Sequence, residues 1–107
     1  MNKYKNKKWI KLRKNILKRD GYACRECRRY GYMRDARVVH HVFPADNYPY
    51  LFYNPKNLIS LCDSCHNKMH DRISNEITKC GEDWQERLKK EVFMKKWKMK
   101  LLNVWRV

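Results

Sequence analysis

The sequence predicts a single small α+β domain, spanning residues 1–107, that bound metal holds together. Three observations predict this fold class. Two short runs of β-branched and apolar residues lie between segments with helical periodicity. Two Cys-x-x-Cys pairs, Cys24/Cys27 and Cys62/Cys65, flank these runs. A chain of 107 residues buries little surface, so a structural metal would add needed stability.

The first element is an amphipathic helix over residues 9–19. Trp9, Leu12, Ile16 and Leu17 recur there at helical spacing between basic side chains. The Asp20-Gly21 dipeptide is a turn signal that should end the helix.

The middle of the chain predicts two strands around a loop. Residues 36–43 are rich in Val and other strand formers, and Pro44 should end that strand. Residues 45–56 contain prolines, asparagines and four aromatic side chains, which indicates a loop anchored by its rings. Residues 57–61 then form a second short strand or a turn.

Two helices complete the prediction. The first runs from Asp63 to about residue 73 or 77 and carries His66 and His70 on a face that continues into the core. The Cys80-Gly81 dipeptide predicts a break between this helix and the next. A basic amphipathic helix follows over residues 82–104, whose apolar members are Trp84, Leu88, Val92, Trp97, Leu101 and Trp105.

The composition indicates a folded, strongly basic protein. Hydrophobic residues (43%) and aromatic residues (13%) are too frequent for a disordered chain. The 26 Lys and Arg residues exceed the 11 Asp and Glu residues, for a net charge of +15. A polyanion would relieve the resulting repulsion, so nucleic acid is the expected partner. The alternatives are a charge that merely keeps the protein dispersed, and an anionic membrane surface.

The cysteine spacing predicts a structural zinc ion. Each Cys-x-x-Cys turn offers two thiolates, and two turns complete a tetrahedral shell made of Cys24, Cys27, Cys62 and Cys65. A redox pair or a disulfide pair are the competing interpretations. Cys80 is expected to be a plain thiol. The start of the chain shows no secretory signal, which favours a reducing, intracellular location.

All four histidines fall between residues 38 and 70. With the cysteines satisfied, His40, His66 and His70 could bind a second ion and leave positions open for water and phosphate. Imidazoles suit zinc, nickel, cobalt or manganese better than magnesium. For any single histidine, a core position or a role in a Cys₃His zinc site is the competing interpretation.

The residues in this order resemble the HNH endonucleases. The matching text is the segment 39–44, read as VHHVFP, and the segment 57–70, read as NLISLCDSCHNKMH. With the lead-in that begins at Trp9, the resemblance covers residues 9–72. It implies a ββα-metal domain with flanking helices, similar to the small stand-alone HNH proteins of bacteriophages and prophages.

The resemblance also implies roles for individual residues. His41 would be the general base that activates water, and Asn57 would hold its loop. His40, His66 and His70 would bind the catalytic divalent ion, which could be Zn²⁺, Ni²⁺, Mn²⁺ or Mg²⁺. Neighbouring strand residues face opposite ways, so His41 should face the water rather than the ion.

The expected activity is cleavage of DNA phosphodiester bonds, as a nick or a double-strand cut, with low sequence specificity. The phosphate contacts expected near the motif are Arg37, Lys56, Lys68 and Arg72. The alternative is a non-catalytic DNA-binding module of a phage packaging machine, with terminase subunits as partners. Either protein would act in the cytoplasm of a bacterial host and would need no membrane.

Overall fold

The computed structural model describes residues 3–93 and confirms the α+β fold class. The predicted helix members Trp97, Leu101 and Trp105 lie outside the described residues. Within residues 3–93, every helix is too short or too polar to be a candidate membrane span. The elements, in chain order, are α1 (Lys7–Arg19), α2 (Arg25–Arg29), β1 (Val38–His41), β2 (Leu58–Leu61), α3 (Asp63–Asn67) and α4 (Lys79–Phe93).

Helix α1 is capped at both ends by its own sequence. Asn6 caps the start by accepting a hydrogen bond from the Trp9 backbone N–H at 2.8 Å, and Asp20 caps the end. The Asp20 carboxylate also accepts hydrogen bonds from the backbone N–H of Ser60 and from Arg19. Burial alone would raise the pKa of Asp20, but these hydrogen bonds outweigh it and lower the pKa. The end of α1 is thereby tied to β2.

The two strands form one antiparallel sheet that packs on both faces. The register pairs Val38 with Leu61 and His41 with Leu58. Side chains alternate across the sheet, so Val39 and Leu58 join one apolar cluster with Trp9 and Ile16 of α1. On the other face, Ile59 and Leu61 join the second cluster, which also contains Met69, and Trp84 and Leu88 of α4. The four cysteines of the two Cys-x-x-Cys pairs, called the knuckle cysteines below, belong to the same cluster.

The predicted helix from Asp63 to residue 73 or 77 was wrong in length, because α3 ends at Asn67. Beyond it, the Asp71 carboxylate accepts hydrogen bonds from the backbone N–H groups of Ile73 and Ser74, and Asn75 adopts a left-handed conformation with φ 61°. Such side chains compete with helix formation by bonding to the local backbone. Ile73 is 98% exposed and is therefore no part of the core.

The interpretation of Cys80-Gly81 as a break was also wrong, because α4 begins at Lys79 and runs through both residues. Gly81 serves close packing instead of a turn. A Cβ atom at this position would lie 2.7 Å from the carbonyl oxygen of Met69 and 2.6 Å from Cγ1 of Ile77. Only glycine lets α4 approach the segment after α3 this closely.

Replacing Gly81 with alanine is therefore expected to destabilise the domain. Helix propensity alone would make alanine more stable by about 1 kcal/mol. The backbone clash should outweigh that gain and cost about 1–3 kcal/mol overall. Thermal unfolding of the zinc-loaded protein measures the sign, and a raised melting temperature would contradict the packing explanation.

Candidate functional site

The four knuckle cysteines meet in one buried cluster. Their ligand atoms all lie within 4.8 Å of one another, and within residues 3–93 no other group of three or more candidate ligands is as compact. The Cys27 sulfur lies 3.9 Å from that of Cys62 and 3.6 Å from that of Cys65. Four sulfurs at 2.3 Å from a tetrahedral zinc ion would be about 3.8 Å apart. The donor set therefore fits a structural metal such as zinc.

Two of these sulfurs accept hydrogen bonds from the local backbone. Cys24 and Cys62 occupy the positions just before α2 and α3, and each sulfur accepts a hydrogen bond from the backbone N–H of the paired cysteine at 3.5 Å. Burial opposes ionisation of Cys62, but the N–H and the neighbouring thiols prevail and lower its pKa to about 7. One thiol of the cluster is thus ready to ionise near neutral pH.

Three imidazoles, those of His40, His66 and His70, lie close to one another. The His40 ring centroid lies 5.2 Å from that of His66 and 5.8 Å from that of His70. Burial, together with the adjacent histidines, lowers the pKa of His40 to about 3, and burial also lowers the pKa of His66. Neutral imidazoles keep the lone pair that a metal requires. The donor chemistry of this group therefore fits a divalent ion.

His70 reaches this group by a route that differs from the predicted one. It follows the end of α3 and forms an isolated β-bridge with Ile77. The i, i+4 helical spacing from His66 is therefore not what brings the two rings together. The turn between residues 71 and 76 folds the chain back and holds His70 beside His40.

His41 lies on the opposite side of β1. Its Nε2 atom is 3.0 Å from the backbone oxygen of Phe52, and its ring stacks on Trp9 with a centroid distance of 5.2 Å and an interplanar angle of 18°. A carbonyl oxygen can only accept, so Nε2 carries a proton and the Nδ1 lone pair of the neutral ring is left available. Burial lowers the pKa of His41, and the carbonyl opposes that shift only in part.

Asn57 is completely buried and binds the chain that follows His41. Its Oδ1 accepts a hydrogen bond from the Phe43 N–H at 2.7 Å, and its Nδ2 donates to the Phe43 carbonyl at 3.0 Å. A weaker contact reaches the Leu51 carbonyl at 3.4 Å. An amide side chain can meet both backbone groups of one residue, which a carboxylate or an alkyl chain cannot do.

Both groups of histidines line one cleft of about 480 Å³, because its lining includes all four of them. Arg13 and Arg37 line it too, and the Arg13 guanidinium donates to the Arg37 carbonyl at 2.9 Å. Of the four predicted phosphate contacts, Arg37 is in this cleft. Lys68 lines a different concave surface, and the exposed Lys56 and Arg72 line neither.

Two features of the surroundings of His41 were not anticipated from the sequence. Periodicity predicts that Trp9 lies on the apolar face of the first helix, and its ring also forms the stacking surface for His41. The Phe52 carbonyl that accepts from His41 is a backbone group, and backbone groups leave no signature in a sequence. The position of Trp9 in the lead-in to the motif was the available signal.

Comparisons with known proteins agree with this geometry. Residues 24–72 match the family model for HNH endonuclease, so the resemblance seen in the sequence is confirmed over that range. The structure is similar to that of an HNH endonuclease from the deep-sea thermophilic bacteriophage GVE2, solved with a manganese ion. That match has a TM-score of 0.60 and 28% identity, and covers 78% of this chain and 79% of the other. A search of curated proteins found no match.

Proposed function

With the HNH endonuclease match of residues 24–72 as the premise, we propose that this protein is a metal-dependent endonuclease that hydrolyses DNA phosphodiester bonds. The observation that carries the proposal is the separation of the four histidines into two groups on opposite sides of β1. Three imidazoles form one group, and a single oriented imidazole stands apart. A module that only binds DNA would need neither the group of three histidines nor the separate, oriented imidazole of His41.

His41 is the general base in this proposal. Its Nε2–H is directed at the Phe52 carbonyl, so Nδ1 is the atom that would take a proton from water. The resulting hydroxide attacks phosphorus in line with the departing oxygen. Stacking on Trp9 restricts the ring to one plane, and the restricted ring delivers its lone pair in a constant direction.

His40, His66 and His70 would hold the divalent ion in this proposal, because their rings lie near one another at the cleft. When bound, such an ion would act as a Lewis acid that stabilises negative charge on the phosphate and the departing oxygen. The manganese ion reported for the GVE2 endonuclease makes Mn²⁺ the first ion to test, with Ni²⁺, Zn²⁺ and Mg²⁺ beside it. Asn57 would act as a positioning residue, because it anchors the chain two residues beyond His41.

Cleavage of supercoiled plasmid DNA by the zinc-loaded protein tests the proposal. Adding each of the four ions separately should give nicked or linear product with at least one of them. Absence of product with every ion, from protein shown to be folded and to bind DNA, would favour the alternative of a non-catalytic module. The resemblance to a phage endonuclease supports an origin in a phage and action in the cytoplasm of a bacterial host.

Trp9 offers a separate prediction about the base. Replacing Trp9 with leucine should lower the single-turnover cleavage rate about tenfold, because the imidazole loses its stacking surface. Phenylalanine, which restores a flat ring, should recover most of that rate. Trp84 is equally buried but packs in the other cluster, so Trp84→Leu is the matched control. Equal rate losses for Trp9→Leu and Trp84→Leu, each measured on the folded fraction, would contradict a positioning role.

A further inference from the structure

A second concave surface lies on the far side of α3 from the cleft. It encloses about 440 Å³ between the turn after α2 and the α3 segment, and its rim includes Tyr30, Tyr32, Arg34 and Lys68. Residues two apart on a helix point in nearly opposite directions, and Lys68, the C-cap of α3, keeps helical backbone angles. His66 therefore faces the cleft and Lys68 faces this surface. A helix is about 10 Å across, so the two concavities are separated by about that distance.

The two tyrosines are held in place although their rings are exposed. Tyr30 is 67% exposed and Tyr32 is 68% exposed. Between them, Gly31 adopts a φ of +82°, its N–H donates to the Arg28 carbonyl, and the Tyr32 N–H donates to the Cys27 carbonyl. These two hydrogen bonds form a Schellman motif that ends α2. The rings therefore project from a fixed turn that is attached to the zinc knuckle.

The charge of this surface is positive. Arg34 and Lys68 form no ion pair with any acidic group in residues 3–93. The single carboxylate in the lining, Glu26, is only 7% exposed and is neutralised by Arg29 at 2.5 Å. The Arg29 guanidinium also stacks over Tyr30 at 5.3 Å. Exposed rings beside unpaired cations are the combination that binds bases and phosphates together.

We propose that this surface binds single-stranded DNA, with one base stacked on the tyrosines and its phosphate held by Arg34 and Lys68. A duplex cannot use the rings, because its bases are already stacked on one another. An unpaired base offers a free π-face and is small enough for the concavity. The inference rests on the proposed function and deepens it, since it places an unpaired stretch of the substrate about one helix diameter from the cleft.

Binding of a short fluorescein-labelled oligothymidylate, followed by fluorescence anisotropy, tests the inference. The zinc-loaded full chain carries His41→Ala throughout, so that the DNA stays intact. Adding Tyr32→Ala and Arg34→Ala together should weaken binding of the single strand about tenfold. Affinity for a duplex of the same length should change less than about twofold, because a duplex does not stack on the tyrosine and loses only the interaction of its phosphates with Arg34. Tyr32→Phe, which keeps the stacking ring, should bind like the parent.

The matched control combines Tyr50→Ala with Lys90→Ala. Both positions are exposed, both lie outside this surface, and the pair removes one ring and one cation as the test variant does. If the control weakens single-strand binding as much as the test variant, or if the test variant affects duplex equally, the inference is wrong. Plasmid nicking by the unmodified chain, in which His41 is intact, is measured separately, so loss of the proposed activity and loss of this site are distinguishable.

Discussion

Replacing Cys62 with serine is expected to release the structural metal and to unfold most of the domain. The four thiols connect α2, β2 and α3, so they clamp both sides of the histidine-bearing region. Binding of zinc to such sites is worth about 10–16 kcal/mol, and in small modules that energy is folding energy. Net stability of a domain is only about 5–15 kcal/mol, so it cannot survive the loss.

Metal content and thermal unfolding, measured on the same samples, check this expectation. Cys80→Ser is the matched control, because Cys80 lies outside the four-thiol cluster and its sulfur donates to Glu26 at 2.9 Å. A serine hydroxyl can make the same donation. The control should retain its zinc and a melting temperature close to that of the parent. A Cys62→Ser protein that is folded and free of metal would show that the thiols do not hold the fold.

Replacing His41 with alanine is expected to lower the single-turnover cleavage rate about a thousandfold, the usual value of a well-placed general base. Folding and zinc content should stay near those of the parent, since the zinc ligands are on other elements. Duplex affinity should also stay nearly unchanged, because a neutral imidazole contributes no charge to phosphate binding. The loss is therefore expected in the rate and not in binding.

Chemical rescue distinguishes a variant that lacks only the general base from a variant whose site is disturbed in another way. His41→Gly leaves space for free imidazole in a cleft that is open to solvent. Added imidazole should restore part of the activity of this variant, in proportion to its neutral fraction, and should leave His40→Gly inactive. Unimpaired cleavage by His41→Ala, or rescue of both glycine variants alike, would remove His41 from the role of base.

The sequence by itself determined the parts whose cause is local. Cysteine spacing predicted the four-thiol cluster, because a Cys-x-x-Cys turn places two sulfurs together regardless of the wider fold. Periodicity predicted α1, and the Asp20-Gly21 signal predicted its end. The alternation of a strand was enough to place His40 and His41 on opposite faces.

Other features were decided only by contacts between distant segments. The helix after Asp63 was overestimated because the competing hydrogen bonds of Asp71 are individually weak signals in a sequence. The interpretation of Gly81 as a break was wrong, because its real constraint is the Met69 carbonyl that packs against it. Helix propensity and turn preference do not report how closely the Met69 carbonyl packs against Gly81, because that distance depends on tertiary structure.

The chemistry of the site also depends on tertiary structure at one decisive point. The sequence named His41, but the free nitrogen of its ring is determined by the Phe52 carbonyl, which the loop after β1 carries to within 3.0 Å. Likewise, Lys68 was expected near the motif, but it caps the end of α3 and lines the concave surface that carries Tyr30 and Tyr32 instead. Residue types and spacing specify which groups are present, whereas packing of the chain specifies which atoms of those groups are available to react.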